Sequence, residues 1–448
     1  MKKFMKSLRG ILKYPSAIFG ITVVLALVIA SIVVVIKIPY SEAIDRWRGG
    51  EEVWGKNPRN APPKWTNWFT KDKLVESLDM SESDEEGVLI EEDVTEGGTK
   101  LKKTTFSFDF QYDKFPQDLF LYFTSTFDTK EPFVSVKIIT PSGDEVKVDN
   151  FAIGRTQTFP ITQSEKLKKR LGGVAPNIGI FIEKGDESQT PIKGTYQIVI
   201  EAVLFEEDST VESEFVLFGQ VFGWAGTDHL RRDLSLPLLW GIPIALTFGL
   251  LAALGTSILT MIIAAVGTWY GGFIDGLIQR ITEINMVLPF LSILIMVATF
   301  YSRSLWVILG ATIALSIFTG GIKSYRATFM QIKEATYIEA ARAYGTKDSR
   351  IIFKYLIPRI IPLLLPGLIS AVPGFVFLEA SLAVLGIGDP VIPTWGKTIN
   401  EAYANAALYR GWYYWILEPA FLLLVTGLGF AMLGFALDRV FNPRLRGM

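Results

Sequence analysis

The sequence predicts an α-helical polytopic membrane protein of about six transmembrane helices, with an all-β, sandwich-like domain inserted after the first. Three observations carry this. Apolar runs long enough to cross a hydrocarbon core, which needs about 20 residues, occur near the start and recur through the second half. Between Pro39 and about Gly223 no window is apolar enough to span, and short alternating runs broken by Pro and Gly take over. Half of the 448 residues are apolar yet 20% are charged, and the mean hydropathy is +0.33, which fits one membrane part joined to one soluble part. The expected division is 1–38, 39–225 and 226–448.

Composition excludes several kinds of chemistry. Cys is absent and His229 is the single His, so disulfides, thiolate nucleophiles and the usual zinc constellations cannot be built. A net charge of −1 gives no general attraction to nucleic acid. Few Cys and His beside many Glu and Lys fit a thermophile.

Lys2, Lys3, Lys6, Arg9 and Lys13 precede an apolar run from about Ile18 to Ile38. The run is too long for the core of a cleaved signal, and Lys37-Ile38-Pro39-Tyr40 offers no small-residue cleavage site, so a retained anchor with a cytoplasmic N-terminus is expected. The following domain would then stand outside. Its expected strands are Phe106 to Phe110, Leu119 to Phe127, Phe133 to Ile139, Ile178 to Ile182, Tyr196 to Leu204 and Phe215 to Phe222. Pro141-Ser142-Gly143-Asp144 reads as a hairpin turn. Asp79 to Glu96 is strongly acidic, but a calcium loop needs Gly at its sixth position, where Asp84 stands, so a solvated loop is expected. His229 beside Asp228 lacks a nucleophile at any defined spacing and reads as structural.

Further spans are expected from about Leu236 to Trp269, Ile284 to Phe300, Leu305 to Ile322 and Tyr355 to Gly388, with a last one ending near Asp438. Tyr270 to Arg280 reads as a short inner connection, and Arg280 with Glu283 as an interfacial pair at helical spacing. The fifth span contains Pro358, Pro362, Pro366 and Pro373-Gly374, so a kinked helix lining a path is expected. Pro373, Gly374, Glu379 and Ser381 are candidates for its wall and hinge, with Glu379 equally able to cap a neighbouring segment. Asp389 to Tyr414 reads as an outer loop carrying a helix from Lys397 to Leu408. Trp395-Gly396-Lys397-Thr398 is no phosphate loop, because Val391 stands where its first Gly belongs and Pro393 interrupts it. Trp412 to Trp415 form an aromatic belt, and Arg439, Arg444 and Arg446 hold the C-terminus inside.

The most informative stretch runs from about 326 to 358. Glu339-Ala340-Ala341-Arg342-Ala343-Tyr344-Gly345 reads as a short surface helix with a Gly stop, followed by a second basic helix ending at Pro358. Its Ala-rich side suits close approach by another protein better than lipid, which would call for Trp, Phe or Leu.

This stretch resembles the EAA loop of the membrane subunits of ABC importers: Glu339, Ala340, Ala341, Gly345 and Pro358 match at the family spacing, while Tyr355 and Ile357 replace the usual Ile and Leu. Gly226-Thr227-Asp228 with Arg232-Asp233, Glu379-Ala380-Ser381-Leu382 with Leu385-Gly386, Pro393 to Gly396, and Asn442 to Arg446 narrow the resemblance to the C-type permease of dipeptide and oligopeptide importers. Arg231 stands where the family pattern has Gly. The resemblance is weak over 1–38, strong over 226–448, and absent from 40–220.

The resemblance implies a type I importer fold whose loop residues Glu339, Ala340, Ala341, Arg342, Gly345 and Pro358 couple to ATPase subunits. It implies a B-type permease, one or two ATPases carrying ATP and Mg, and an extracellular solute-binding protein as partners, with no cofactor on this chain. The substrate would be a peptide, with oligosaccharides and nickel as alternatives. The insertion would cradle the binding protein, hold substrate, or brace the partner permease. An ion-coupled secondary transporter is the rival class.

Overall fold

The computed structural model describes residues 14–94, 99–183 and 190–441. Lys2, Lys3, Lys6, Arg9, Lys13, Glu96 and the Asn442 to Arg446 stretch lie outside them. The chain forms two units, Gly49–Ser235 and a second made of Met1–Arg48 with Leu236–Met448. Gly226 to Ser235 therefore belongs with the first unit, ten residues beyond the boundary expected from sequence.

Among its described residues the Gly49–Ser235 unit has nine strands: β1 (Leu78–Ser81), β2 (Val88–Val94), β3 (Lys100–Phe110), β4 (Asp118–Thr126), β5 (Phe133–Ile139), β6 (Glu145–Ala152), β7 (Thr156–Pro160), β8 (Gly194–Leu204) and β9 (Thr210–Phe218). They form two sheets of order β1-β9-β4-β7 and β2-β3-β8-β5-β6, with antiparallel neighbours throughout. Period-two alternation sends Phe106, Phe108 and Phe110 of β3, and Leu119, Leu121 and Phe123 of β4, into one shared core. Phe108 stacks on Tyr196 at 5.8 Å within its own sheet and on Phe215 at 5.4 Å from the other, which makes the pair of sheets a sandwich. Ile139 faces Glu145 and Gly143 takes a φ of 87°, the left-handed turn position that its lack of a Cβ permits, so the expected hairpin forms.

Two expectations are overturned here. The acidic stretch is no simple loop, for it contributes β1 and β2. Most of β2 is exposed at a sheet edge, where its carboxylates discourage pairing with another chain, and Glu91 reaches Lys103 at 2.7 Å. Glu82, between the two strands, accepts hydrogen bonds from Lys102 Nζ at 2.6 Å, Ser213 N at 2.8 Å and Ser213 Oγ at 2.7 Å. Ile178 to Ile182 is not a strand either. Pro176 starts a helical turn over Pro176–Gly179, and Ile180 and Phe181 then plug the core.

The other unit holds α1 (Pro15–Lys37), α2 (Tyr40–Arg48), α3 (Ser235–Tyr270), α4 (Gly272–Val287), α5 (Phe290–Phe300), α6 (Leu305–Ile317), α7 (Gly320–Lys333), α8 (Thr336–Ala343), α9 (Ile357–Val384), α10 (Trp395–Ala404) and α11 (Tyr414–Phe441). Among the described residues four helices are long and apolar enough to cross a membrane, and up to six spans result if each bent pair counts as one. The pairs are α4 with α5, bent by 82°, and α6 with α7, bent by 48°. Pro289 explains the first bend: it has no N–H to continue the ladder and pushes Leu288 into extended backbone with ψ at 136°. The expected inner connection from Tyr270 to Arg280 is therefore mostly helix.

Small residues bring the spans together. A Cβ added at Gly20 of α1 would fall 2.6 Å from the backbone of Leu433, and one at Gly429 would fall 2.5 Å from Val23, so α1 and α11 meet backbone to backbone. The opposite side of α1 exposes Leu25, Ile29 and Ile36, as a lipid-facing surface requires.

Glu206, in the loop between β8 and β9, accepts hydrogen bonds from the backbone of Asp128, Thr129 and Lys130 and from the Thr129 hydroxyl. Led by the Thr129 bond, these donors hold its carboxyl down at about 2. A carboxylate depressed in the folded state contributes stability above the ordinary range, and that contribution is lost as pH falls toward about 2. Amide exchange at 128–130 in the full chain should therefore be faster in Glu206→Gln than in wild type at pH 7, with the difference shrinking as the pH is lowered through that window.

Candidate coupling and translocation site

The exposed helix α8 is fixed by what precedes it. At the end of α7, the Lys333 ammonium donates to the carbonyls of Thr268 and Trp269, both at 2.9 Å, in the last turn of α3. These are carbonyls that a helix C-terminus leaves without intrahelical donors, and a cation there also matches the helix dipole. In the last turn of α8, Arg342 places its guanidinium 4.3 Å from the Trp269 ring, so the indole is approached by both cations, Lys333 lying at 5.7 Å.

Helical spacing then sorts the side chains of α8. Ile338 and Ala341 are buried, whereas Glu339, Ala340, Arg342, Ala343 and Tyr344 are exposed. The three alanines thus do not share a face: Ala341 packs inward, and Ala340 with Ala343 presents the bare outer surface. Gly345 has a φ of 71°, the left-handed value that closes this helix, and Gly345 N donates to Arg342 O.

The second helix does not end at Pro358. A turn at Asp348–Ile351 passes through a π-helical turn at Ile352–Leu356 straight into α9, and Pro358 sits in the first turn of α9, where its missing N–H costs nothing. From there α9 is helical without interruption to Val384, with Pro362, Pro366 and Pro373 inside it. The irregularity predicted for the proline-rich stretch is found upstream, in the π turn.

Within α9 the four candidate residues divide between two sides. Gly374 and Ser381 lie on an exposed stripe with Gly367 and Ser370, at spacings of three, four and seven, and Ser381 Oγ donates back to Phe377 O at 2.6 Å. Pro373 is half-buried between the two sides. Glu379 is buried on the opposite side and hydrogen-bonds the side chain of Thr394, the residue that caps α10 by accepting from Lys397 N. Beside it, Trp395 is fully buried and its indole N–H donates to Leu238 O of α3 at 2.9 Å. The Pro393 to Gly396 motif is the junction of α3, α9 and α10.

The Gly226 to Asp233 motif is likewise structural. The Thr227 hydroxyl donates to Pro58 O and accepts from Ala61 N. Asp228 Oδ1 accepts from Leu230 N and Arg232 N, and its Oδ2 forms a buried ion pair with Arg232 Nε at 2.6 Å. Inside this turn Arg231 has a φ of 66°, so the conformation that favours Gly is kept although the residue is Arg, at a backbone cost of about 1–2 kcal/mol. Asn57 Nδ2 donates to Arg231 O while the Arg231 guanidinium donates to Asn57 O, which holds the strained residue in place.

Sequence reasoning missed Trp269 and Lys333, because their pairing depends on the way α3 and α7 fold back on each other and leaves no local motif.

Residues 257–447 match the family described as the binding-protein-dependent transport system inner membrane component. The chain is 30% identical over 224 residues to the dipeptide transport system permease protein DppC of Bacillus subtilis (strain 168), covering 50% of this chain and 69% of the relative. It is 30% identical over 227 residues to the oligopeptide transport system permease protein OppC of the same organism, covering 50% and 72%. It is 26% identical over 226 residues to the glutathione transport system permease protein GsiD of Pectobacterium atrosepticum, covering 50% and 73%. The chain belongs to this family: it is a multi-pass membrane permease of the ABC importer class.

Replacing Arg342 by Ala removes a cation–π contact worth about 0.5–2 kcal/mol. Amide exchange across Thr336–Ala343 in lipid nanodiscs should then speed up while that of α9 and α11 stays unchanged, and Trp269→Ala should give the same pattern.

Proposed function

We propose that this chain is the C-type permease subunit of a peptide importer, supplying half of the translocation path and receiving mechanical work from ATPase subunits through α8. The observation that carries the proposal is the outward face of α8: small, exposed, bracketed by charge, and tied by Arg342 to the end of a long span. A partner docking there would push on α3 and, through the π turn, on α9, so rigid-body rocking of packed helices could open the path alternately to either side. The stripe of Gly367, Ser370, Gly374 and Ser381 supports α9 as the path wall, with Glu379 holding α10 rather than facing substrate.

In this reading a B-type permease supplies the other half of the path. One or two ATPase subunits carry ATP and Mg, and an extracellular solute-binding protein delivers the cargo. Both termini are cytoplasmic and the β unit stands outside. The dipeptide, oligopeptide and glutathione systems after which the three relatives are named favour a peptide over an oligosaccharide or nickel. Against an ion-coupled carrier, two acidic groups within the helical unit already have partners: Asp275 is bonded to Arg326 at 2.5 Å, and Glu379 to Thr394.

The test is co-expression with the ATPase genes. Glu339→Arg and Ala340→Trp should abolish co-purification of ATPase and ATP-driven uptake while the permease still inserts. A chain that purifies alone and moves solute on an ion gradient without ATP would overturn the proposal.

A further inference from the structure

The β unit contains a cleft of about 480 Å³ on the outer face of the sheet formed by β1, β9, β4 and β7, within the size range of small-ligand sites. Its floor is aromatic, from Phe120 and Phe218, and its charges are Arg59, Arg231, Asp118 and Glu51. The Arg231 guanidinium lies 4.5 Å from the Phe218 ring and 5.9 Å from that of Phe120, so it is held over the floor.

What sets the cleft apart is that opposite charges share it without neutralising one another. Arg59, Arg231 and Asp118 form no ion pair within 4.0 Å among the described residues. Half-burial, only partly offset by a backbone hydrogen bond and by Arg231 and Arg59, pushes the Asp118 carboxyl up to about 6. Burial, and then the adjacent charge of Arg59, presses the Arg231 guanidinium below its ordinary value. Asp118 and Glu51 thus act on the two neighbouring guanidiniums only from beyond ion-pair distance, and the half-buried carboxyl of Asp118 has no cation in direct contact. The position of Arg231 adds an independent argument. Glycine would relieve the left-handed backbone there, yet the chain carries a side chain whose head group is aimed over the cleft floor.

We propose that this cleft binds a short peptide as a zwitterion, with Arg59 and Arg231 taking the terminal carboxylate, Asp118 facing the ammonium group, and Phe120 and Phe218 supporting the chain between. The guanidinium fork matches a carboxylate, which a single amine or a neutral sugar would not satisfy. The choice of a peptide rests on the importer reading; the demand for both charges rests on the cleft alone.

The experiment measures equilibrium binding of Ala-Ala-Ala, its C-terminal amide and its N-acetyl form to the full chain in nanodiscs, without ATPase or binding protein. The free tripeptide should bind, and each blocked form should lose about tenfold or more, the 1.4 kcal/mol scale of one charge-assisted bond. Arg231→Gly, which trades the hydrogen bond to Asn57 O for a relaxed backbone, and Arg59→Gln, which leaves that turn intact, should each bind the free tripeptide at least about tenfold more weakly. Asp118→Asn should lose the distinction between free and N-acetylated peptide. Equal binding by Arg231→Gly, or equal binding of the amide by wild type, would overturn the proposal. So would capture of the purified solute-binding protein through Arg231 with no binding of free tripeptide. Because neither ATP nor α8 takes part, failure here and failure of ATPase docking are distinguishable.

Discussion

A backbone carbonyl released where a membrane helix breaks or ends must find a donor, because lipid supplies none. That constraint organises the helical unit of this permease. At the break between α6 and α7, the Asn285 amide donates to the carbonyls of Leu315 and Phe318, both at 2.8 Å, and the Thr260 hydroxyl donates to that of Ile317 at 3.0 Å. At the end of α3 the same demand is met by Lys333. Asn285, Thr260 and Lys333 therefore each join two elements, and the last of them sets where α8 begins. The exposed helix is positioned by a hydrogen-bonding demand left at the end of α3 together with its own Arg342 on Trp269.

The β unit is closed by a polar clasp of another kind. One carboxylate, Asp228, accepts two backbone N–H groups and the Arg232 side chain, while Thr227 ties the turn to the Pro58 and Ala61 backbone. Breaking such a pair leaves a buried charge uncompensated, which costs about 3–5 kcal/mol. The turn is therefore rigid, and its rigidity is what allows Arg231 to be kept in a conformation it would otherwise leave.

Legibility followed the range of the interactions. The longest strands were readable because Phe106-Ser107-Phe108-Asp109-Phe110 carries its alternation within five residues. β2 was hidden because Glu91, Glu92 and Asp93 look like solvent-seeking loop, although charge is also how an edge strand is protected. Ile178 to Ile182 misled for the opposite reason: a short apolar run is equally satisfied by a helical turn capping the core. Around α8 the sequence marked the helix and the Gly345 stop but placed Ala341 with Ala340 and Ala343, although the advance of about 100° per residue turns Ala341 to the inner side. Glu379 and Gly374 are five residues apart, so they fall on different sides of α9. The Trp269, Lys333 and Arg342 cluster joins residues that are far apart in the chain, and no local pattern encodes it.

The close approach of Gly20 to Gly429 has a consequence for biogenesis. The first and last spans are each other's neighbours, with Ala17, Ala436 and Val440 forming their own small core. During synthesis α1 therefore waits in the bilayer, its Gly20 face bare to lipid, while the β unit and every other span are made. This contact joins elements of high sequence separation and forms only after α11 is made, so the interval in which a stray small-residue helix could dock on α1 in its place is set by translation rather than by helix packing.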